Sequence, residues 1–215
     1  MTALHGPDPL AIRPPRQRRS REAWDRVLAA GVALLEEGGY EAFTIAAVCE
    51  RAGVAPRALY ARADTKDALF LAVYEHGMAR LREDAAVFVD DTRWAGVSAD
   101  HLVARAVEAV VGLFERHAAL LRAVVLISGV HPVVNERGSA YSRELGEVFT
   151  GRLLQARADF DHPDPQAAAW SAFDALFSTL VLRTAYGPGF ATPPVHTAAV
   201  TEQLTRMVQR YLLPR

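Results

Sequence analysis

A single cysteine, Cys49, stands among the 215 residues, so no intramolecular disulfide can form. That scarcity fits a reducing compartment. Lysine is almost missing: of 24 basic residues only Lys66 is not arginine, and with 39 alanines this reads as genomic composition, not function. Neither sign of charge dominates, and a formal net charge of −1 excludes a histone-like polycation while leaving room for a local basic patch. Long apolar runs are missing too. The longest, Ala118 to Val130, is interrupted by Arg122 and is too short to cross a bilayer. Met1 to Ser20 holds no apolar stretch of the kind a secretory signal carries, so a soluble, cytoplasmic protein is expected, with no membrane partner. Signatures of catalysis are equally scarce. There is no GxSxG elbow, no phosphate-binding glycine loop, and no HExxH or ExxH pair among the seven histidines. No catalytic residue, metal site or cofactor is expected. A hydrophobic fraction of 51% is enough for a sizeable core, in one large domain or a small domain joined to a larger one.

What is present is unevenly placed. Residues 1–66 carry a net charge of +2 and residues 67–215 a net −3. Arg13, Arg16, Arg18, Arg19, Arg21 and Arg26 fall close together, opposed only by Glu22 and Asp25. Such a cluster is either a solvated leader or an arm for an anion or nucleic acid. With four prolines and little apolar content, residues 1–19 are expected to be a disordered basic arm. Ser20 is placed to cap a helix running to about Glu37, whose apolar stripe includes Trp24, Val27, Leu28 and Leu35. Gly38-Gly39 ends it, since glycine enters the left-handed region without steric cost. Further helices are expected at about 45–52, 56–61, from Thr65 onward, then 99–116, 118–130, 136–160, 164–186 and 197–213. No segment alternates like a half-buried strand. The fold class is therefore all-α, with about nine helices.

The stretch TIAAVCERAGVAPRALYARADTK, residues 44–66, carries the chemistry. A short helix, a glycine turn and a second short helix make a helix-turn-helix. The second helix of such a pair can enter a DNA major groove while the first is held across the backbone. Val54 and Leu59 anchor it, and Arg57, Tyr60 and Arg62 are expected to face outward. On spacing alone, an ordinary helical hairpin fits equally well. From Arg21 to Leu69 the sequence resembles the DNA-binding domain of the TetR family of bacterial transcriptional repressors. The matching elements keep their order: Val27-Leu28, Leu34-Leu35, Gly39-Tyr40, Thr44, Val48, Ala52-Gly53-Val54, Leu59-Tyr60 and Thr65-Lys66-Asp67-x-Leu69. The resemblance implies phosphate contacts by Tyr60 and Lys66, and a cap at Thr44 beside the DNA backbone. Pro56, Arg57 and Arg62 complete the expected DNA-binding set. Ala55, Ala58 and Arg62-Ala63 depart from the family's usual Ser, Thr and His-Phe.

Taken together, the expected domains are the arm at 1–19, a three-helix helix-turn-helix domain at 20–66 and a larger ligand-binding and dimerisation domain at 67–215. The resemblance implies a homodimer joined through about 164–186 and 197–213, with Val200, Leu204, Met207, Val208 and Tyr211 forming the last helix's apolar face. It also implies a repressor of a near-palindromic double-stranded operator, released by a small-molecule effector. The expected pocket walls are Phe88, Trp94, Phe114, Leu121, Tyr141, Phe149, Trp170, Phe173 and Phe177, which favour an apolar or aromatic ligand. Arg122, His131, Asp174 and Ser178 are the groups expected to orient it. A solid aromatic core is the competing reading of the same residues. Two alternatives to the regulator stay open, a helical enzyme and a helical interaction protein that binds no DNA.

Overall fold

The computed structural model describes residues 18–191 and 193–214. The described residues form nine α-helices and three 3-10 segments, with no strand. The helices are α1 (Arg18–Ala42), α2 (Ile45–Ala52), α3 (Pro56–Tyr60), α4 (Lys66–Ala85), α5 (Ala99–Arg116), α6 (Ala118–Ser128), α7 (Pro132–Leu153), α8 (Pro165–Tyr186) and α9 (Thr197–Leu212). The basic arm expected over residues 1–19 lies outside the described residues, apart from Arg18 and Arg19, which are already helical.

The chain divides into two compact units. One runs up to Arg80 and includes Arg122–Arg137; the other comprises Leu81–Leu121 and Gly138–Arg215. This differs from the expected division at residue 66. The reason is packing: Leu69, Phe70 and Val73 of α4 are buried in the core of the first unit. There Phe70 meets Tyr40 edge-on at 4.9 Å and Phe43 at 5.7 Å. Gly31 of α1 admits α4 closely, since a Cβ there would stand 2.4 Å from a Val73 methyl.

The start and end of α1 depart from the simple reading. Ser20 lies inside the helix, and its hydroxyl accepts a hydrogen bond from Arg62 where a cap was expected. The glycine pair does interrupt the helix, at Gly39 (φ 65°, ψ −159°), but one more helical turn follows to Ala42.

In the second unit, Arg152 is buried and ties down the connection between α4 and α5. It donates to the Phe88 carbonyl and to Asp91 Oδ1, the latter at 2.7 Å. Trp94 closes the same segment, its indole N–H donating to the Val87 carbonyl at 2.9 Å. Ser98 caps α5 and Asp164 caps α8, each accepting from a backbone N–H three residues on. Pro165 occupies the first position of α8, where no N–H is needed. Between α7 and α8, Gly146 leaves room for Trp170 and Phe173; a Cβ there would lie 2.4 Å from the indole.

Candidate nucleic-acid interface

The helix-turn-helix is built by local chemistry at each joint. Thr44 adopts extended backbone angles and its Oγ1 accepts the Ala47 N–H at 3.1 Å, capping α2. At the other end Gly53 takes φ 62° and ψ 42°, left-handed as expected. The Val54 N–H then reaches the Cys49 carbonyl at 3.0 Å and the Gly53 N–H reaches Glu50 at 3.2 Å. These two bonds form a Schellman ending, which reverses the chain within two residues. Arg26 of α1 donates to the last carbonyl of α2, Ala52, at 3.2 Å. Cys49 is buried, and burial pushes its thiol pKa up, so it is a core residue and not a nucleophile.

Helix α3 follows without a side-chain cap at Ala55 and with Pro56 in its first turn. Leu59 is 1% exposed and pins the helix to the core, while Pro56, Arg57, Ala58 and Tyr60 face solvent. Arg57 forms no hydrogen bond or ion pair with any described residue, so its guanidinium is available. Nearby Arg51 is engaged, donating to Glu37 at 2.7 Å and lowering that carboxyl's pKa. Arg62 corrects the expectation of an outward side chain. It is half-buried and turns back onto Ser20 of α1. Ala63 is fully buried.

Lys66 opens α4, whose first turn is capped by Thr65 accepting the Ala68 N–H at 3.0 Å. The Lys66 ammonium sits over the Tyr40 ring, 4.1 Å from its centroid. Burial, followed by the nearby Asp67 carboxylate, raises the Tyr40 pKa and keeps the phenol protonated. Asp67 in turn meets His131 Nε2 at 2.8 Å. The other ring nitrogen, Nδ1, accepts the Val134 N–H at 3.4 Å, which leaves the proton of the neutral ring on Nε2, directed at Asp67. Tyr40, Thr65 and the His131–Asp67 pair were not singled out from the sequence as supports of this face. Thr65 carries a capping signal three residues before Ala68. Tyr40 and Lys66 lie too far apart in the chain for any local pattern to pair them.

The expected ligand-orienting groups are dispersed. His131 belongs to the first unit, against Asp67 and Phe70. Arg122 is exposed: α6 buries Leu120, Leu121, Val124 and Ile127 but presents Arg122 and Leu126 to solvent. Asp174 and Ser178 are likewise exposed, because α8 buries the adjoining face of Ala169, Ala172, Phe173, Leu176 and Leu180. The expected aromatic walls do come together, and they pack on one another. Trp94 stacks on Phe88 at 5.5 Å, Phe88 meets Phe149 at 6.4 Å, and Phe149 meets Phe173 at 5.5 Å. Phe173 continues to Trp170 at 6.1 Å and to Phe177 at 5.4 Å, and Phe177 to Phe114 at 5.6 Å. Tyr141 is buried beneath Arg82. A separate groove of about 1050 Å³ is walled by Trp94, Ala86, Val87 and Ala109 together with charged groups, among them Glu83, Asp84, Arg93, Arg105 and Glu108. Within it Asp84 accepts from Arg116 at 2.8 Å and meets His117 at 2.9 Å, and both contacts lower its pKa. No group of histidine, cysteine and carboxylate residues among the described residues is arranged to hold a metal. No described helix is long and apolar enough to cross a membrane.

Two family models match the chain. Residues 27–73 match bacterial regulatory proteins of the tetR family, and residues 99–212 match the tetracyclin repressor-like C-terminal domain. No curated protein matches the sequence. Among solved structures, a TetR-like transcriptional regulator from Rhodococcus sp. RHA1 is 20% identical with a TM-score of 0.63, covering 92% of this chain and 97% of that one. A TetR transcription regulator from Haloarcula marismortui is 13% identical with a TM-score of 0.68, covering 91% and 100%. A bacterial regulatory protein in the tetR family from Rhodococcus RHA1 is 24% identical with a TM-score of 0.61, covering 86% and 96%.

Proposed function

Because the chain belongs to the tetR family of bacterial regulatory proteins, a family of DNA-binding transcription regulators and not of enzymes, we propose that it is a homodimeric repressor. It binds a near-palindromic operator in the cytoplasm and is released by a small apolar or aromatic effector. The observation that carries the DNA-binding part is the exposed face of α3. Arg57 stands there without a partner among the described residues, beside exposed Tyr60, on a helix pinned by buried Leu59. Arg57 is the base-reading residue in this proposal, since an unpartnered guanidinium matches the two acceptors of guanine. Thr44, Pro56, Tyr60 and Lys66 contact the backbone, and Arg62 assists from its bond to Ser20. The arm before Arg18 follows the adjacent phosphates.

Dimerisation uses the outer faces of α8 and α9. Ser171, Asp174, Ala175 and Ser178 form an exposed, mostly small-residue face on α8, which suits the close approach of a second helix. On α9, Met207 and Tyr211 are each 43% exposed, whereas Val200, Leu204, Val208 and Leu212 serve the core. A two-fold interface of this kind sets two α3 helices against successive major grooves. The effector is taken up at the aromatic cluster around Phe149 and Phe173, and it acts by favouring the dimer conformation that binds DNA poorly.

Selection of bound DNA from a random library tests the reading, followed by affinity measurements at several salt concentrations. A recovered inverted repeat, with affinity falling steeply as salt rises, is the expected result. No enriched sequence and no salt dependence would overturn it.

A further inference from the structure

His131 lies in the turn between α6 and α7, far along the chain from the helix-turn-helix, yet it closes on the base of α4. Its two ring nitrogens do different things. The His131 carbonyl accepts the Asn135 N–H at 3.0 Å and Nδ1 accepts the Val134 N–H, so this residue caps α7. The cap fixes the ring, and Phe70 of α4 lies against it at 5.6 Å. Nε2 is left to donate to Asp67 Oδ1, 2.8 Å away. The His131 side chain is 13% exposed and that of Asp67 59%, so a sheltered donor holds a surface carboxylate.

The charge of Asp67 opposes the task of its neighbours. Asp67 follows Lys66 in the chain and, after burial, its charge is what raises the Tyr40 pKa; Lys66 lies over that same ring. It also belongs to the first turn of α4, where free N–H groups and the helix dipole attract an anion. A carboxylate free to move there competes with a phosphate for that turn and for the lysine ammonium. In the structure Asp67 forms no ion pair with Lys66, and its carboxylate is turned to His131.

We propose that His131 is a positioning residue for DNA binding: it holds the Asp67 carboxylate on the α6–α7 turn, off the phosphate seat formed by Lys66 and the first turn of α4. The inference rests on the proposed phosphate contact of Lys66. His131 acts through Asp67 and not on DNA itself. Its effect is therefore the same for every DNA sequence, since phosphates carry no base identity. It is largest at low salt, where exposed charges are least screened.

Two substitutions separate this task from the capping of α7. Asparagine carries an acceptor where Nδ1 stands but is too short to reach Asp67. Glutamine carries an N–H donor where Nε2 stands but no acceptor at the Nδ1 position. His131→Asn should therefore keep the cap and release Asp67, and His131→Gln should do the reverse. Affinity of the full chain for the selected operator at low salt should fall about two- to fivefold in His131→Asn, the scale of one exposed charge interaction. It should stay near the parent in His131→Gln. Urea midpoints should rank the other way, with His131→Gln the less stable of the two. In an Asp67→Asn background, His131→Asn should no longer change affinity, because no carboxylate is left to release. Unchanged affinity in His131→Asn would overturn the inference, as would an equal loss in His131→Gln. So would a loss that persists in the Asp67→Asn background, or an affinity order that simply follows the stability order. In each of these cases a parent chain that binds DNA with the expected salt dependence leaves the proposed function standing. A parent chain that binds no DNA would overturn the proposed function and this inference together.

Discussion

The Lys66 ammonium lies 4.1 Å from the centroid of the Tyr40 ring, so the base of α4 carries a cation held in place by an aromatic face. No carboxylate among the described residues pairs with the lysine, and the N–H donors that point away from the ring are available for a phosphate. Lys66→Ala should weaken binding to every DNA sequence and lower the log-salt slope by roughly one unit. Tyr40→Leu removes only the support. It should cost at most about 1 kcal/mol of DNA affinity and leave the salt slope unchanged. Salt titrations of both variants on one operator separate the two roles; equal slopes for Lys66→Ala and the parent would remove Lys66 from the phosphate contacts.

Arg57 and Tyr60 share the exposed side of α3 but differ in what they can recognise. Arg57→Ala should relax preference at one base pair per half-site, at a cost of about 1–3 kcal/mol on the preferred sequence. Tyr60→Phe removes one hydroxyl and should weaken all sequences alike. Repeating the library selection with each variant gives the answer. An unchanged preference with Arg57→Ala would take that residue out of base reading.

The helices are legible in the sequence because their ends are written locally. Thr44, Ser98 and Asp164 cap, Pro56 and Pro165 open, and Gly53 closes, each by chemistry confined to a few neighbouring residues. The helix-turn-helix is legible for the same reason. Arg62 is not, because its partner, Ser20, is far away in the chain, and sequence spacing holds no information about that meeting. The same distance hides the role of His131, which Asp67 holds where a ligand was expected. On α8 the expected orienting group Asp174 is exposed, because the helix buries the face of Ala169, Ala172, Leu176 and Leu180. Trp170 and Phe173 pack on Gly146, a contact with a distant helix that sequence spacing does not specify.

Glycines give a paired test of packing. A Cβ on Gly31 would stand 2.4 Å and 2.9 Å from the two methyls of Val73, itself fully buried, and 3.1 Å from Phe43. Gly31→Ala gains up to about 1 kcal/mol of helix propensity but meets a core that cannot yield. A net destabilisation of about 1–3 kcal/mol is expected. Gly151 lies in α7, is exposed, and has open space around its missing Cβ. Gly151→Ala should stabilise by about 0.5–1 kcal/mol. Denaturant unfolding measures both, and the same sign for the two changes would contradict the packing.

Asp84 makes a pH-dependent contribution. Its bonds to Arg116 and His117 hold the carboxyl pKa below the ordinary value, so the stabilisation is present above the unfolded pKa of about 3.9. It fades as pH falls through the lower folded value. The pair is well exposed, so Asp84→Asn should cost only about 0.2–1 kcal/mol at neutral pH. That difference should narrow steadily as the solution is acidified below the unfolded pKa. Urea titrations across this range check it, and a gap that persists undiminished in acid would mean that the substitution disturbs packing, not charge.

The proposed dimer predicts a clean separation of folding from DNA binding. Met207 and Tyr211 lie exposed on α9, outside the buried row of Val200, Leu204, Val208 and Leu212. Charges placed at the two exposed positions leave the core row untouched, so helix content and melting should stay near the parent. Across a two-fold interface each charge would meet an apolar surface and its own symmetry mate, which opposes association. Met207→Glu combined with Tyr211→Glu should therefore sediment as a monomer. Affinity for a single half-site should survive, because α3 and Lys66 are unaltered. Affinity for the full palindrome should fall by about 10²–10⁴-fold, the advantage that linkage of two binding modules confers. Analytical ultracentrifugation paired with half-site and full-site titrations decides the matter. A dimer that persists in the double variant would move the interface away from this face of α9, and a monomer that kept full palindrome affinity would detach dimerisation from operator recognition.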